Sequence, residues 1–467
     1  MCDYCPFIVN RLFVSRLLSA TVAFCVFTFS GIASSSSEVN EIILANGMKV
    51  IVVENDRAPV VVSQVWYKIG GSYEHDGITG VSHVLEHMMF KGTKKYPAGK
   101  FSEIIAANGG KENAFTSKDY TAYFQRIAKD KLELCLRLES DRMRNLIFDE
   151  KEFIKELEVV KEERRLRTDD SPVSLTNERF NAVAYTNSPY RQPIIGWMED
   201  LDTLTVADAK KWYDTWYAPN NATLVVVGDV KADEVFKLAD KYFGVYKSVD
   251  IPVVKRRKEA EQYGEQRLIV KIPAKVPYLI MGYKVPVLNT SKDESELYAL
   301  EVLAGVLDGG SSARFSTTLV RGQQIATSAG AGYSLHSLHE GLFSLSAVPV
   351  KEVDMKKLER ALKREIQKIQ SVAPTQKELD RVIAQVIAAN VYEQDSSFYQ
   401  AMEIGILETN GLGWKKKEEY IERVQAITPE QVQRVAKKYF TDKNLTVAVL
   451  EPLAINGDSE DNGADDE

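Results

Sequence analysis

Histidine is scarce in this chain, with five residues in 467, so any two of them at a metal-binding spacing stand out. Cysteine is scarcer. There are four, and Cys2, Cys5 and Cys25 all fall near the start. If a leader is removed, only Cys135 remains, and a single cysteine cannot close an internal disulfide. Burial must then hold the fold. Cys135 lies in the apolar-rich stretch KLELCLRLES, which places it in a core. An excess of positive charge is also missing: 59 Lys and Arg stand against 66 Asp and Glu, a formal net charge of −7. That balance argues against a nucleic-acid partner, because a phosphate backbone needs a basic face. With 45% hydrophobic residues and no low-complexity tract in its body, the chain is globular, and its length exceeds one ordinary core, so two domains are expected.

A long uncharged apolar run occurs once, LLSATVAFCVFTFSGIA over residues 17–33, behind Arg11 and Arg16. A basic start, a short apolar centre and small residues at the end form the secretory pattern. Ser and Thr dilute the run as a membrane anchor, and Phe24 before Cys25 lacks the small residue a lipoprotein anchor needs. The expectation is a signal peptide over 1–33, cleaved near Ala33, and a periplasmic or secreted product. At the other end, residues 453–467 include six acids and no base, a solvated tail.

Between these ends the chain reads as two related halves, 34–248 and 267–452, joined by a linker at 249–266 where the composition shifts to DIPVVKRRKEAEQYGEQ. The first half opens on a hairpin, EIIL and MKVIVVE around Asn46-Gly47, a pair that favours a tight two-residue turn. Strands follow at VVVSQVWYKI and LVVVGDV, then RLIVKI and PYLIMGYKV in the second half. An ungapped repeat ties the halves together: LTVADAKKWYDTWYAPNNATLVVV from Leu204 aligns with ITPEQVQRVAKKYFTDKNLTVAVL from Ile427. Thr205 meets Thr428, Tyr217 meets Phe440, Asn221 meets Asn444 and Thr223 meets Thr446. Each copy is a capped helix, an aromatic pair, a turn and an apolar strand.

Chemistry concentrates in GVSHVLEHMMF, residues 80–90. His83 and His87 are four apart, one helical turn, and so share a face on which two imidazoles can grip one zinc ion. Glu86 lies beside His87 within reach of a metal-activated water, and His-x-x-Glu-His is the inverted form of a better-known zinc helix. Zinc takes a third protein ligand and leaves a fourth position open. Candidates lie in KEFIKELEVVKEERRLRTDD, residues 151–170, where Phe153, Leu157 and Val160 mark a buried helical stripe. Glu156 and Glu163 are seven apart on one flank, whereas Glu162 points elsewhere. Spacing does not choose among these glutamates.

The segment GSYEHDGITGVSHVLEHMMFKGT resembles the zinc-site segment of the pitrilysin/insulinase family of metallopeptidases, to which the mitochondrial processing peptidase subunits also belong. Three further segments resemble that family in order. GGKENAFTSKDYTAYF is similar to its substrate-binding edge strand, ELEVVKEE to the segment bearing the third ligand, and YAPNNATLVVVGDV to the end of its first domain. The resemblance implies an α+β fold of two homologous domains, each a largely antiparallel sheet with helices packed on it. It implies one Zn²⁺ per chain held by His83, His87 and Glu163, Glu86 as general base, and Glu156 as a supporting acid. It implies an extended peptide substrate on the backbone of Asn113, Ala114 and Phe115, enclosed in a clamshell commonly built from two homologous chains. A catalytically weak peptide-binding or scaffold subunit of a heteromeric peptidase is the alternative.

The second half has ELYALEVLAGVLDGG where the first has its histidines, so one chain carries one site. One departure stands out. Active relatives place an Arg and a Tyr seven apart in the second domain; Arg321 matches the arginine, but the residue seven later is Ser328, with Tyr333 five further on. A heterodimer whose second chain completes the pair is therefore favoured over a homodimer in which Tyr333 fills the role. His336 and His339 in YSLHSLHEG are expected in a strand region, and His75 in a loop.

Overall fold

The computed structural model describes residues 38–455; the expected leader and the acids from Asp458 onward lie outside the described residues. Two sheets dominate it. The first contains β1 (Val39–Ile43), β2 (Lys49–Glu54), β3 (Val60–Tyr67), β4 (Lys111–Thr116), β5 (Thr121–Ala128) and β6 (Ala222–Gly228), in the order β1-β2-β6-β3-β5-β4. The second contains β7 (Gln266–Pro273), β8 (Tyr278–Val285), β9 (Ala326–Gly332), β10 (Gly341–Pro349) and β11 (Leu445–Leu453), in the order β7-β11-β8-β10-β9. Both are antiparallel except for one parallel pair each, β2 with β6 and β7 with β11. Removing β1 leaves the same strand order in both, so the fold is α+β with a duplicated body.

The aligned repeat is reproduced down to its turns. Thr205 caps the helix Val206–Trp216 and Thr428 caps Pro429–Tyr439, each with a reciprocal capping box. The helices end on Tyr217 (φ −90°, ψ 76°) and Phe440 (φ −91°, ψ 71°), and one short 3₁₀ turn leads each into β6 or β11. The hairpin departs from expectation. Gly47 N–H bonds to Leu44 O (2.8 Å) and Leu44 N–H to Met48 O (2.9 Å), so the loop holds three residues, with Gly47 at φ +88°. Asn46 is committed elsewhere: its side-chain amide donates to Phe243 O (2.8 Å) and Tyr246 O (2.9 Å), which anchors the hairpin to the chain ahead of the linker. His336 and His339 lie in the loop joining β9 and β10, not in a strand.

The first core fills one face of the first sheet, with Leu85, Met88, Cys135, Leu136, Tyr217 and Phe243 buried; the second core, around Leu300, Leu303, Phe343, Leu362 and Val432, does the same for the second sheet. The remaining faces are also buried, which is why strands such as VVVSQVWY and ATLVVVG are mostly apolar and buried along nearly their whole length rather than alternating. What covers them is an exchange. The helix Pro172–Ala184, from the first half, lays Phe180 and Ala184 on Val270, Ile280, Ala448 and Leu450 of the second sheet. The helix Ser397–Thr409, from the second half, lays Ala401 and Ile404 on Ile51, Val62, Trp66 and Val227 of the first.

Knob and hole are reversed between the two contacts. On the first sheet the strand supplies the ring, Trp66 of β3, and the helix the hole, Gly405. On the second the helix supplies the ring, Phe180, and the strand the hole: a Cβ on Gly282 of β8 would stand 2.7 Å from Phe180 Cζ. A Cβ on Gly405 would run into the Trp66 indole itself. Overpacking of this kind costs about 1–3 kcal/mol. Gly405→Ala should therefore lower the urea midpoint by a matching amount; an unchanged midpoint would mean that the indole has room to move.

Candidate metal centre

The helix Val81–Met88 buries Val81, Val84, Leu85 and Met88 in the first core and turns His83 and His87 toward the helix Glu150–Arg164. Its N-terminus has no local cap, because Gly80 sits at φ +88° with no side chain to offer. Glu74 does that work from six residues upstream: its carboxylate accepts Gly80 N–H (2.7 Å) and Ser82 N–H (2.8 Å). Gly80 is required for a second reason, since a Cβ there would lie 2.6 Å from Ile195 O. Burial pushes the Glu74 carboxyl up to about 7 against those two N–H bonds.

The helix Glu150–Arg164 starts at Asp149, whose side chain accepts Glu152 N–H, and buries Phe153, Leu157 and Val160. Its flank brings Glu156 and Glu163 to the histidines. Glu163 Oε2 lies 3.8 Å from His83 Nε2 and 3.4 Å from His87 Nε2, and one donor atom from each of the three residues falls within 4.8 Å of the others. Donors on arms of ~2.0–2.1 Å around a tetrahedral ion stand about 3.3 Å apart, so the cluster fits such an ion nearly as it stands. Glu156 takes the outer side of His87, with Oε2 3.4 Å from Nδ1, and Lys91 Nζ lies 2.5 Å from Glu156 Oε1. Glu162 faces solvent and pairs with Arg165.

Electrostatics set the protonation pattern. Burial lowers His83 to about 4, helped by the neighbouring His87. For His87 burial works the same way, but Glu156 and Glu163 overcome it and raise it to about 9. Burial opposes the charge on Glu163 too, yet His87, His83 and Arg167 pull it down to about 2. Glu86 is 5% exposed, and burial raises it to about 7. Thr116 Oγ1 donates to Glu86 Oε2 at 2.5 Å, which fixes one carboxylate oxygen and leaves the other.

Glu74, Lys91, Thr116 and Arg167 were not singled out from sequence. Thr116 carried a signal: it directly follows the Asn113-Ala114-Phe115 run, on the face of β4 that Ala114 also occupies. Among the described residues that strand is an edge of the first sheet, with β5 as its one neighbour. Phe115 packs edge-on against Trp66 at 5.4 Å, and Asn113 Oδ1 accepts Ala114 N–H. Arg321 lies on a π-helical turn, Phe315–Gly322, exposed, with its guanidinium donating to Ser311 O at 2.5 Å. Ser328 is exposed on β9, the edge strand of the second sheet. Tyr333 is committed inward, its hydroxyl donating to Pro286 O (2.7 Å) and its ring facing Phe343, so it does not stand in for a tyrosine at 328. His75 is in a loop; His339 packs edge-on against Tyr190 and belongs to the seam between the halves.

Known proteins share the sequence pattern and the fold. The profile described as insulinase (peptidase family M16) matches residues 49–197, and that of the peptidase M16 inactive domain matches 203–386. The zinc protease PqqE of Helicobacter pylori is 33% identical over 414 residues, 88% of this chain and 92% of that protein. The crystal structure of a protease from Helicobacter pylori superposes with a TM-score of 0.85 at 31% identity, over 89% of this chain and all of that one. The probable mitochondrial-processing peptidase subunit beta of Arabidopsis thaliana is 24% identical over 427 residues, 90% of this chain and 79% of that protein.

Glu74 is the support most open to test. Glu74→Ala would orphan two buried N–H groups at the start of the histidine helix, at a cost of about 1–3 kcal/mol. Glu74→Gln, which keeps one acceptor oxygen, should lose less. Equal urea midpoints for the wild type and Glu74→Ala would remove the cap from this account.

Proposed function

The chain belongs to the insulinase (M16) family of peptidases, and on that premise we propose that it is a zinc-dependent endopeptidase acting on peptides and unfolded polypeptides. The observation that carries this reading is the convergence of His83 Nε2, His87 Nε2 and Glu163 Oε2 at the spacing of a tetrahedral ion, with Glu86 adjacent on the same helix. Bound there, zinc would supply the Lewis acidity that polarises a peptide carbonyl and acidifies water. Glu86, held by Thr116 through one oxygen, takes the proton of the attacking water on the other and returns it to the leaving amine. Glu156 and Lys91 keep the His87 ring in register. The free edge of β4 would receive substrate as an added strand at Asn113, Ala114 and Phe115, reading backbone more than side chain, inside an enclosing chamber. The N-terminal pattern adds export to the periplasm with cleavage near Ala33.

Two variants separate binding from chemistry. Glu163→Gln should lose most of its zinc on dialysis, as read by metal analysis. Glu86→Gln should keep its zinc but lose about two to four decades of rate on a quenched peptide. Full zinc in the first would move the third ligand elsewhere, and normal turnover in the second would remove Glu86 from the mechanism.

The second domain bears on the partner. With serine at 328 and Tyr333 turned inward, this chain offers no tyrosine hydroxyl seven residues after Arg321. We place it as the zinc-bearing member of a pair whose homologous second subunit supplies that contact. Such a contact is worth about 2–4 kcal/mol in the transition state, a few decades in rate. The isolated chain should therefore be weakly active and gain strongly on addition of the second subunit. Full activity from the chain alone would reject the pair.

A further inference from the structure

The linker is the longest stretch of the described chain that stands outside the backbone hydrogen-bond network. It is fixed at both ends. Val249 exchanges two bonds with the side chain of Asn220 (2.8 and 3.1 Å). Ten residues on, the buried Glu259 carboxylate accepts the N–H groups of Thr186, Asn187 and Ser188 at 2.7–3.0 Å and pairs with Lys284 Nζ at 2.7 Å. Between these anchors, no backbone group of residues 250–258 makes a hydrogen bond among the described residues. Val253 is 93% exposed, and Lys255, Arg256, Arg257 and Lys258 are all exposed. None of these four bases forms a close ion pair among the described residues, although Lys258 lies near enough to Glu340, and Arg256 to Tyr73 and His339, to favour loss of their protons.

We propose that Lys255–Lys258 is a processing site for an endopeptidase of basic specificity, and that its product is a two-chain protein that stays assembled. A protease takes its substrate as extended chain, and exposed loops free of hydrogen bonds are where such enzymes cut. The strap supplies such a stretch without any helix or strand having to unfold, and its exposed lysine and arginine side chains suit an acidic primary pocket. Hydrolysis consumes one water, breaks one peptide C–N bond and leaves a new carboxylate and a new ammonium, both at the surface.

Assembly would survive because the covalent link is not what joins the halves. After scission the first chain still carries Pro172–Ala184, the cover of the second sheet, and the second chain still carries Ser397–Thr409, the cover of the first. Polar bonds cross the seam as well: Lys49 Nζ to Glu408 (2.9 Å), Leu338 N–H to Asp119 (3.1 Å), and Glu259 to the three N–H groups at 186–188. Lys284, the other partner of Glu259, leaves with it on the second chain. Glu259 therefore keeps every contact after a cut on its N-terminal side.

The test is limited digestion of the full folded protein with trypsin, followed by intact mass and size-exclusion chromatography without denaturant. The first cut should map to the bonds following Lys255, Arg256 or Arg257, and the two fragments should co-elute at the volume of the uncut protein. A variant with Lys255→Gln, Arg256→Gln, Arg257→Gln and Lys258→Gln alters exposed side chains only and should lose the cut in this segment. Cleavage that begins in another segment, a variant cut as fast as the wild type, or fragments that separate on the column would each overturn the proposal. The readouts do not use peptidase activity, so they stand whether or not the zinc reading does.

Discussion

Each sheet in this protein has two apolar faces and only one helical layer of its own to cover them. That shortage is the constraint on which the rest of the structure depends. Burial of apolar area is worth ~25 cal/mol per Å², and a sheet face left open would forfeit it over six strands or five. The solution is reciprocal. Each half lends a helix to the other, and the ring-and-glycine contacts at Trp66–Gly405 and Phe180–Gly282 set how closely the borrowed helix may approach. Neither half has a complete pair of buried faces without the other, so the domains are fixed as one body even though their cores are separate.

That fixed body is what allows a charged cluster to be held at depth. The histidine helix is seated by four apolar residues on one side and capped from outside by Glu74, while the chain at Gly80 and the chain at Gly196 meet backbone to backbone with no room for side chains. The facing helix is tied down past the cluster by Arg164, which grips Glu178 at 2.7 and 3.0 Å and the Gly196 carbonyl at 2.8 Å. Glu178 belongs to the exchanged helix Pro172–Ala184, so the covering of the second sheet and the placement of Glu163 share one set of bonds.

Much of this was legible in the sequence, for identifiable reasons. The helix bearing His83 and His87, the buried stripe Phe153-Leu157-Val160 and the repeat at Leu204 and Ile427 are local patterns, set by residues within one or two turns of each other. The hairpin loop at Asn46-Gly47 departs from the two-residue turn that the pair favours, and Asn46 spends its side chain on Phe243 and Tyr246, a contact some 200 residues away. Glu74 and Lys91 escaped because each acts on the site through space, whereas Thr116 was marked only by its place after Asn113-Ala114-Phe115. The helix exchange was illegible altogether. An apolar helix such as Ser397–Thr409 advertises that it is covered on one side, not which sheet does the covering.

The charges at the cluster carry one step further. Glu163 is held ionised, Glu156 is held below its ordinary range by His87 and Lys91, and of the two imidazoles His83 stays neutral while His87 is driven to bind a proton. The pull of Glu156 and Glu163 thus favours a proton on His87 between the two carboxylates, beside the fixed cations Lys91 and Arg167. A neutral imidazole is needed to ligate, so a divalent ion and that proton compete for one place. The same glutamates that would orient His87 toward a metal also raise the affinity of their competitor. A proton on His87 would therefore oppose loading of an ion, and the more so as pH falls. Arg167, 2.5 Å from the far oxygen of Glu163, moderates the contest by offsetting part of the negative charge without occupying the site.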